Sequence, residues 1–180
     1  VHRGRAGPGK FAAVLSLGPL YQGNRACAVG GKIQQPDDIR AGRLTVQECM
    51  DAVEECGAPI VSVAGGEPLV HREIDQIVAA LIERKRFVYL CTNALLMERK
   101  LDKFTPSPYF SWSVHIDGLR ERHDQSVCRD GVFDQAVSAV REAKNRGFRV
   151  STNTTSFAQD DPSPVRHAPA FLNHALTVTA

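Results

Sequence analysis

Residues 59–68, Pro-Ile-Val-Ser-Val-Ala-Gly-Gly-Glu-Pro, decide how this chain folds. The β-branched run at residues 60–63 predicts a short strand that is buried on both faces. The two glycines allow a tight turn and a close approach of the backbone to a ligand, and Pro68 fixes the exit direction of the chain. Glu67 then lies at the carboxyl end of the strand, where parallel α/β folds carry their chemistry. A turn with a solvated glutamate is the simpler interpretation.

Further apolar segments on either side of this stretch predict more strands. They lie at residues 11–17, 87–90, 110–116 and 148–154. Helical periodicity separates the later strands, at about residues 74–85, 95–104 and 133–140, and a polar loop follows Asp117 and Gly118. These connections are too long for hairpins, so we predict parallel pairing with right-handed crossovers.

One further helix has well-marked ends. Thr45 and Glu48 have the spacing of a capping box, and Gly57 follows the last apolar position. Cys49 and Cys56 lie on the apolar face of this helix, which favours small core side chains over metal ligands.

The sequence pattern predicts one α/β domain over residues 11–157. Residues 1–10 are basic and rich in glycine, and we expect them to be disordered. Residues 158–180 contain three prolines and predict an irregular or weakly helical tail. A further strand is expected where this tail begins, so the pattern indicates a chain that stops early or ends in another reading frame.

Composition narrows the function classes. The 180 residues include 22 basic and 20 acidic side chains, interspersed along the chain, which gives no nucleic-acid footprint. No apolar run approaches the roughly 20 residues of a membrane span, and no secretory signal is recognisable. Five cysteines suit a reducing compartment better than a disulfide framework. We therefore expect a cytoplasmic protein without a transmembrane segment.

Polar side chains cluster at the ends of four predicted strands. They are the Cys27 loop, Gly65-Gly66-Glu67, Cys91-Thr92-Asn93, and Ser113 to Gly118. Each has an ordinary explanation: a helix cap at Asn93, a satisfied hydroxyl at Ser113, a buried neutral imidazole at His115 and a turn at Asp117. Together they predict a cradle for a small, polar, nucleotide-like ligand.

Three segments give the chain a family resemblance. They are Ala-Gly-Gly-Glu-Pro at residues 64–68, Tyr-Leu-Cys-Thr-Asn-Ala-Leu-Leu at 89–96 and Trp-Ser-Val-His-Ile-Asp-Gly at 112–118. Residues 123–124 and 131–134 add to them. Over residues 15–155 the chain resembles radical S-adenosylmethionine (SAM) enzymes, most closely the branch of hopanoid biosynthesis that attaches a 5′-deoxyadenosyl group to hopene. The resemblance implies a partial (β/α)6, TIM-barrel-like core, truncated after about the fifth strand.

The resemblance also implies roles for single residues. The turn Gly65, Gly66, Glu67 and Pro68 would hold the amino end of SAM. Thr92, Asn93, Ser113, His115 and Asp117 would line the mouth near its ribose and carboxylate. Adding an adenosyl radical to an alkene leaves a carbon radical, and the thiol of Cys91 is a suitable hydrogen-atom donor to it.

The cluster loop departs from the family pattern. Family members hold a 4Fe–4S cluster with Cys-x3-Cys-x2-Cys after the first strand, and the matching positions here are Gly23, Cys27 and Gly30. Only Cys27 remains as a metal ligand, because glycine has no side-chain donor. Cys91 and Cys128 could face the same mouth, although an inert thiol is the simpler interpretation of each.

Three hypotheses follow for function. The first is a radical SAM transferase that uses SAM and a 4Fe–4S cluster, an apolar hopene-like isoprenoid substrate and an electron donor such as a flavodoxin or ferredoxin, working in the cytoplasm close to a membrane surface. The second is a degenerate, truncated and non-catalytic remnant, at best a SAM-binding module. The third is an ordinary α/β binding domain with an accidental family match.

Overall fold

The computed structural model describes residues 12–23 and 42–154. Five parallel strands form one sheet, and their order in space is their order in the sequence. The strands are β1 (Val14–Leu17), β2 (Ile60–Val63), β3 (Phe87–Thr92), β4 (Phe110–His115) and β5 (Arg149–Asn153). The predicted parallel α/β class is confirmed. The predictions for residues 1–10 and 158–180, for Cys27 and for Gly30 lie outside the described residues.

Helices connect successive strands. They are α1 (Val46–Cys56), α2 (Ile74–Glu83), α3 (Met97–Lys100), α4 (Arg120–Ser126) and α5 (Val132–Asn145), with 3₁₀ turns at Pro68–Val70 and Leu101–Lys103. The apolar faces of α1, α2, α3 and α5 form the main core with alternate residues of the strands, among them Val61, Leu90 and Trp112. Strands that succeed one another in order, with their helices on one face, form a sector of a β/α barrel.

Helix α1 forms as its end signals predict. The Glu48 amide donates to Thr45 Oγ1 at 3.2 Å, and Glu48 Oε2 accepts the Thr45 amide at 2.7 Å. Gly57 ends the helix with a left-handed φ of +70°. This reciprocal cap satisfies two amides that the first turn of a helix leaves without partners.

The other face of the sheet, here called the open face, has no helix against it in the described part of the chain. Its residues are exposed or half-buried, and strand pairing arranges them in rows across the sheet. The rows are Val14, Ile60 and Phe87; Ser16, Ser62, Tyr89, Ser111 and Arg149; Cys91, Ser113 and Ser151; and His115 with Asn153. The prediction that β2 is buried on both faces is therefore wrong, because Ile60 and Ser62 lie on the open face and are only half-buried.

A second correction concerns the predicted polar loop after Gly118, where helix α4 forms instead. Its sequence, Arg-Glu-Arg-His-Asp-Gln-Ser, has no apolar period to indicate a helix. Two buried polar side chains stabilise it. His123 Nδ1 accepts the Asp117 amide at 3.1 Å, and the Asp124 carboxylate accepts the Gly131 and Phe133 amides at 2.7 and 2.8 Å. Asp124 thus caps helix α5 from outside it.

Within residues 12–23 and 42–154, every helix is too short or too polar to cross a bilayer.

Candidate cofactor site at the strand ends

The glycine turn after β2 packs against the segment that follows β1. The Gly66 amide donates to Leu20 O and the Glu67 amide to Gln22 O, both at 3.0 Å. A Cβ on Gly65 would lie 2.2 Å from Leu20 O, and one on Gly66 would lie 2.3 Å from Gln22 O. The close approach that requires glycine is therefore to the chain's own backbone, and contact with SAM stays a prediction.

Glu67 is buried, with 2% of its surface exposed, so the solvated-glutamate interpretation is wrong. Its Oε1 accepts the Leu69 amide at 3.1 Å and the Thr92 hydroxyl at 2.8 Å, and its Oε2 accepts the Asn93 amide at 2.9 Å. The carboxylate thus joins the end of β2 to the end of β3. Its predicted role toward the SAM amino group remains a prediction.

The charge state of Glu67 reflects opposing effects. Burial raises its pKa, while the hydrogen bonds from Asn93, Thr92 and Leu69 and the charge of Lys100 act to lower it. Lys100 lies beside this turn, where its ammonium donates to Leu69 O, and burial lowers the pKa of that ammonium. Helix α3 therefore contributes a partly buried ammonium beside the turn that carries Glu67.

A second turn follows β3 and depends on the same carboxylate. Thr92 Oγ1 accepts the Ala94 amide at 3.1 Å, and Asn93 Oδ1 accepts the Leu95 amide at 3.2 Å. Ala94 has a φ of +63°, a left-handed conformation that is uncommon for alanine. Asn93 thus shapes a turn ahead of helix α3 and does not cap that helix, whose N-cap is Leu96, so the prediction of a helix cap is wrong and contact with SAM stays a prediction.

The end of β4 carries a linked set of three polar side chains. His115 Nε2 lies 2.9 Å from Asp117 Oδ2, and the Asp117 amide donates to His123 Nδ1. The His115 side chain is 30% exposed, so the prediction of a buried imidazole is wrong. His123 is fully buried, and desolvation lowers its pKa, as does His115, against the opposing charges of Asp117 and Asp124. Because Nδ1 accepts, the proton of neutral His123 lies on Nε2.

Cys91 lies on the open face beside a serine that the sequence did not single out. Its Sγ is 3.5 Å from Ser62 Oγ, and it pairs across the sheet with Ser113, which pairs with Ser151. The signal for Ser62 was the alternation along β2, which places it and Ile60 on the face opposite Val61 and Val63.

The structure thus places the described site residues at the carboxyl ends of three consecutive parallel strands. It brings Glu67, Thr92 and Asn93 into direct contact, and it brings His115 and Asp117 into contact. Pro68 begins the 3₁₀ turn that follows Glu67. The sequence left His71 and Ser62 without a role, and His123 without a specific one, because their partners are distant in the sequence or are backbone atoms.

The donor set does not fit a cluster held by three thiolates. Gly23 is exposed and has no side-chain donor, and Gly30 also lacks one. Cys49 is buried in the core, Cys56 lies on α1, and no group of three or more metal-binding side chains occurs in the described ranges. The structure therefore supplies no described replacement for the two missing ligands.

We expect the described cysteines to differ strongly in thiol reactivity. Cys49 is completely buried, and burial raises the pKa of its thiol to about 11, whereas Cys128 is exposed. Because the thiolate is the nucleophile, iodoacetamide at pH 8 should alkylate Cys128 and leave Cys49 unmodified in the folded protein. Peptide mass spectrometry measures both, with urea-unfolded protein as the control in which both react. Equal alkylation in the folded state would contradict the packing of α1.

Comparisons with known proteins agree with this fold and show the family. The family model described as Radical SAM superfamily matches residues 25–167. Curated relatives include the Fe-coproporphyrin III synthase of Methanosarcina barkeri, 26% identical over 69% of this chain and 30% of the relative. The AdoMet-dependent heme synthase of that organism is 30% identical over 65% of this chain and 35% of its own length. A GTP 3′,8-cyclase of Clostridium perfringens is 25% identical over 73% of this chain and 42% of its own length.

Solved structures extend the comparison of the fold. SuiB of Streptococcus suis superposes with a TM-score of 0.73 at 16% identity, over 89% of this chain and 37% of SuiB. SuiB bound to S-adenosylmethionine gives a TM-score of 0.70 at 18% identity, over 89% of this chain and 36% of SuiB. This chain spans about a third of the length of the two Methanosarcina barkeri relatives, because the matches cover 30% of the first and 35% of the second.

Proposed function

This chain belongs to the radical SAM superfamily, and we propose that its sheet binds SAM and serves the transfer of the 5′-deoxyadenosyl group to an apolar, hopene-like isoprenoid. The superfamily uses SAM and a 4Fe–4S cluster. The names of the curated relatives describe synthases and cyclases, so the transfer to hopene is our proposal, and it depends on the resemblance of the strand-end segments and on the open face.

The contrast on the open face between an apolar row at the amino ends of the strands and polar rows beyond it is the observation that carries this proposal. The row at the amino ends of the strands is apolar, with Val14, Ile60 and Phe87, and Phe87 contacts the ring of Tyr109 at 5.1 Å between centroids. The row nearest the carboxyl ends has His115 and Asn153. A ligand with one apolar end and one nucleoside end matches this order of side chains.

Cys91 lies between these two ends, in a row that it shares with Ser113 and Ser151. We assign it the hydrogen atom that would complete the product in a chain with the cluster ligands restored: its S–H bond would break as a C–H bond forms at the substrate's carbon radical. The sulfur radical that remains would take one electron from a donor of the flavodoxin or ferredoxin class and one proton from solvent. Ser62 Oγ, 3.5 Å away, is positioned to orient the thiol.

A second candidate function is SAM binding without radical chemistry. The observation that favours it is glycine at positions 23 and 30, where the family has thiolates. A reduced 4Fe–4S cluster supplies the electron that cleaves SAM, and one protein thiolate is too few to hold such a cluster. Under this second candidate, the residues that bind SAM are still present. The radical step, however, requires the two missing cysteine ligands.

Restoring the two ligands separates these functions. We expect the Gly23→Cys/Gly30→Cys variant, reconstituted anaerobically with iron and sulfide, to bind about four iron atoms per chain and to release 5′-deoxyadenosine from SAM after reduction. The second candidate predicts that the unaltered chain binds SAM in equilibrium dialysis and releases no 5′-deoxyadenosine, whereas the first predicts release from the unaltered chain as well. Stoichiometric iron in the unaltered chain would contradict the second candidate.

The substrate is tested in the restored variant. Addition of a hopene should convert released 5′-deoxyadenosine into an adenosyl adduct detected by mass spectrometry. In Cys91→Ser on that background, consumption of SAM should continue while formation of the saturated adduct falls at least tenfold, because a hydroxyl is a poor hydrogen-atom donor. A restored variant that consumes SAM and forms no adduct would contradict the proposed substrate.

A further inference from the structure

The two ends of the segment between Gly23 and Gly42 lie together beside the sheet. Leu20 and Arg43 form an antiparallel bridge, and the Leu44 amide donates to Pro19 O at 2.9 Å. The guanidinium of Arg43 also donates to Gln22 Oε1 at 3.0 Å. The two ends, which we call the outgoing arm (residues 18–22) and the return arm (residues 43–45), are therefore hydrogen-bonded to each other.

The turn after β2 holds both arms. The outgoing arm is fixed by the Gly66 and Glu67 amides, which donate to Leu20 O and Gln22 O. The return arm is fixed by His71, the residue that ends the 3₁₀ turn Pro68–Val70. A single turn, from Gly65 to His71, thus sets where each arm lies.

The contacts of His71 define its tautomer. The Glu73 amide lies 3.1 Å from His71 Nδ1, and His71 Nε2 lies 3.0 Å from Leu44 O. An amide can only donate, so Nδ1 accepts, and the proton on Nε2 is donated to the Leu44 carbonyl. His71 is buried, with 3% of its surface exposed, so water does not readily replace either bond.

We propose that His71 is a positioning residue for the segment that carries Cys27. It acts through Leu44: by holding the return arm, it sets the spacing between the two ends of that segment. The inference rests on the proposed function only in taking this segment as the one that carries the metal ligands. The hydrogen bonds that carry the inference do not depend on the proposed function; they join His71, Leu44, Pro19 and Gly66.

Two substitutions separate the two bonds of His71. His71→Gln places an amide N–H near the position of Nε2 and keeps a donor for Leu44 O, but it loses the acceptor for the Glu73 amide. His71→Asn places an oxygen near the position of Nδ1 and keeps that acceptor, but its side chain is too short to reach Leu44. Positioning of the return arm therefore predicts rescue by Gln and none by Asn.

Amide hydrogen exchange of the full chain, resolved by NMR, is the test. In His71→Asn we expect the Leu44 amide, which donates to Pro19 O, to exchange about tenfold faster, because loss of the bond from His71 to Leu44 O removes the stabilisation of roughly one hydrogen bond from the return arm. In His71→Gln its rate should stay within about threefold of that in the unaltered chain. The Gly57 amide, bonded to Val53 O at the end of α1, is the internal control and should change in neither variant.

The possible outcomes decide between positioning and general destabilisation. If the Leu44 and Gly57 amides accelerate together, or if Asn and Gln give the same exchange at Leu44, the inference is overturned. Iron binding is measured separately, with each His71 variant on the Gly23→Cys/Gly30→Cys background. If that background binds no iron while the exchange pattern holds, the proposed function fails and the positioning role of His71 stands.

Discussion

Gly65→Ala is expected to lower the free energy of unfolding by about 4 kcal/mol. Gly65 has a φ of +106°, a conformation that costs an L-residue roughly 1–2 kcal/mol. The new Cβ would lie 2.2 Å from Leu20 O, and an overlap of this kind typically costs roughly 1–3 kcal/mol more. The overlap is with backbone that is itself hydrogen-bonded to Gly66, so the outgoing arm cannot move without loss of that bond.

Gly57→Ala is the matched control. Gly57 also has a left-handed φ, +70°, but a Cβ there has no atom within 4 Å. We expect it to cost about 1 kcal/mol, the conformational part alone. Urea unfolding followed by circular dichroism measures both variants. If Gly65→Ala and Gly57→Ala cost the same, the close packing of the β2 turn against Leu20 is incorrect.

Glu67→Ala should cost a similar amount, about 4 kcal/mol. It removes the acceptor of the Leu69 amide, the Asn93 amide and the Thr92 hydroxyl, and each buried donor left without a partner costs roughly 1–3 kcal/mol. The substitution also removes the free-energy cost of burying a carboxylate, which offsets part of this loss of stability. The free energy of unfolding of a folded domain is usually about 5–15 kcal/mol, so such a loss leaves little stability.

Glu54→Ala is the control for Glu67→Ala. Glu54 is 60% exposed and pairs with Arg84 at 3.1 Å on the surface, so its loss should cost less than about 1 kcal/mol. Both measurements are made without SAM, which excludes any contribution from ligand binding. A cost at Glu67 as small as that at Glu54 would show that its carboxylate does not join β2 to β3.

The pH dependence of Glu67→Gln follows from the raised pKa of Glu67. The folded state holds its proton more tightly than the unfolded chain does, where the pKa is 4.5. Glu67 therefore favours folding most below pH 4.5, and this contribution is lost as the pH rises through the folded pKa. Relative to Glu67→Gln, the unaltered chain should become less stable as the pH rises from 4.5 to the folded pKa of Glu67. The opposite slope would show that the hydrogen bonds and Lys100 outweigh burial.

The sequence predicted the elements whose signals are local. Thr45, Glu48 and Gly57 define α1 because a cap involves residues three or four apart, and apolar, β-branched runs located the strands. It missed α4 because His123 and Asp124 stabilise that helix through amides six to nine residues away. Such bonds leave no periodic pattern.

At the site, the sequence placed residues correctly but not their side-chain contacts. Position at a strand end follows from topology, so Glu67, Asn93 and Asp117 were predicted at one edge of the sheet. The direction of the Glu67 carboxylate is determined by the amides of Leu69 and Asn93, which any residue type would supply. His71 escaped notice for the same reason, because its partners are main-chain atoms.

The bridge between Leu20 and Arg43 has a consequence for how this protein can be engineered and how it could diversify. Because the bridge closes the base of the intervening segment, the number of residues between the two arms can change while the sheet keeps its register. We therefore expect that the interval can be exchanged as a cassette between related proteins, so that ligand sets for other metal centres could be grafted onto one unchanged scaffold.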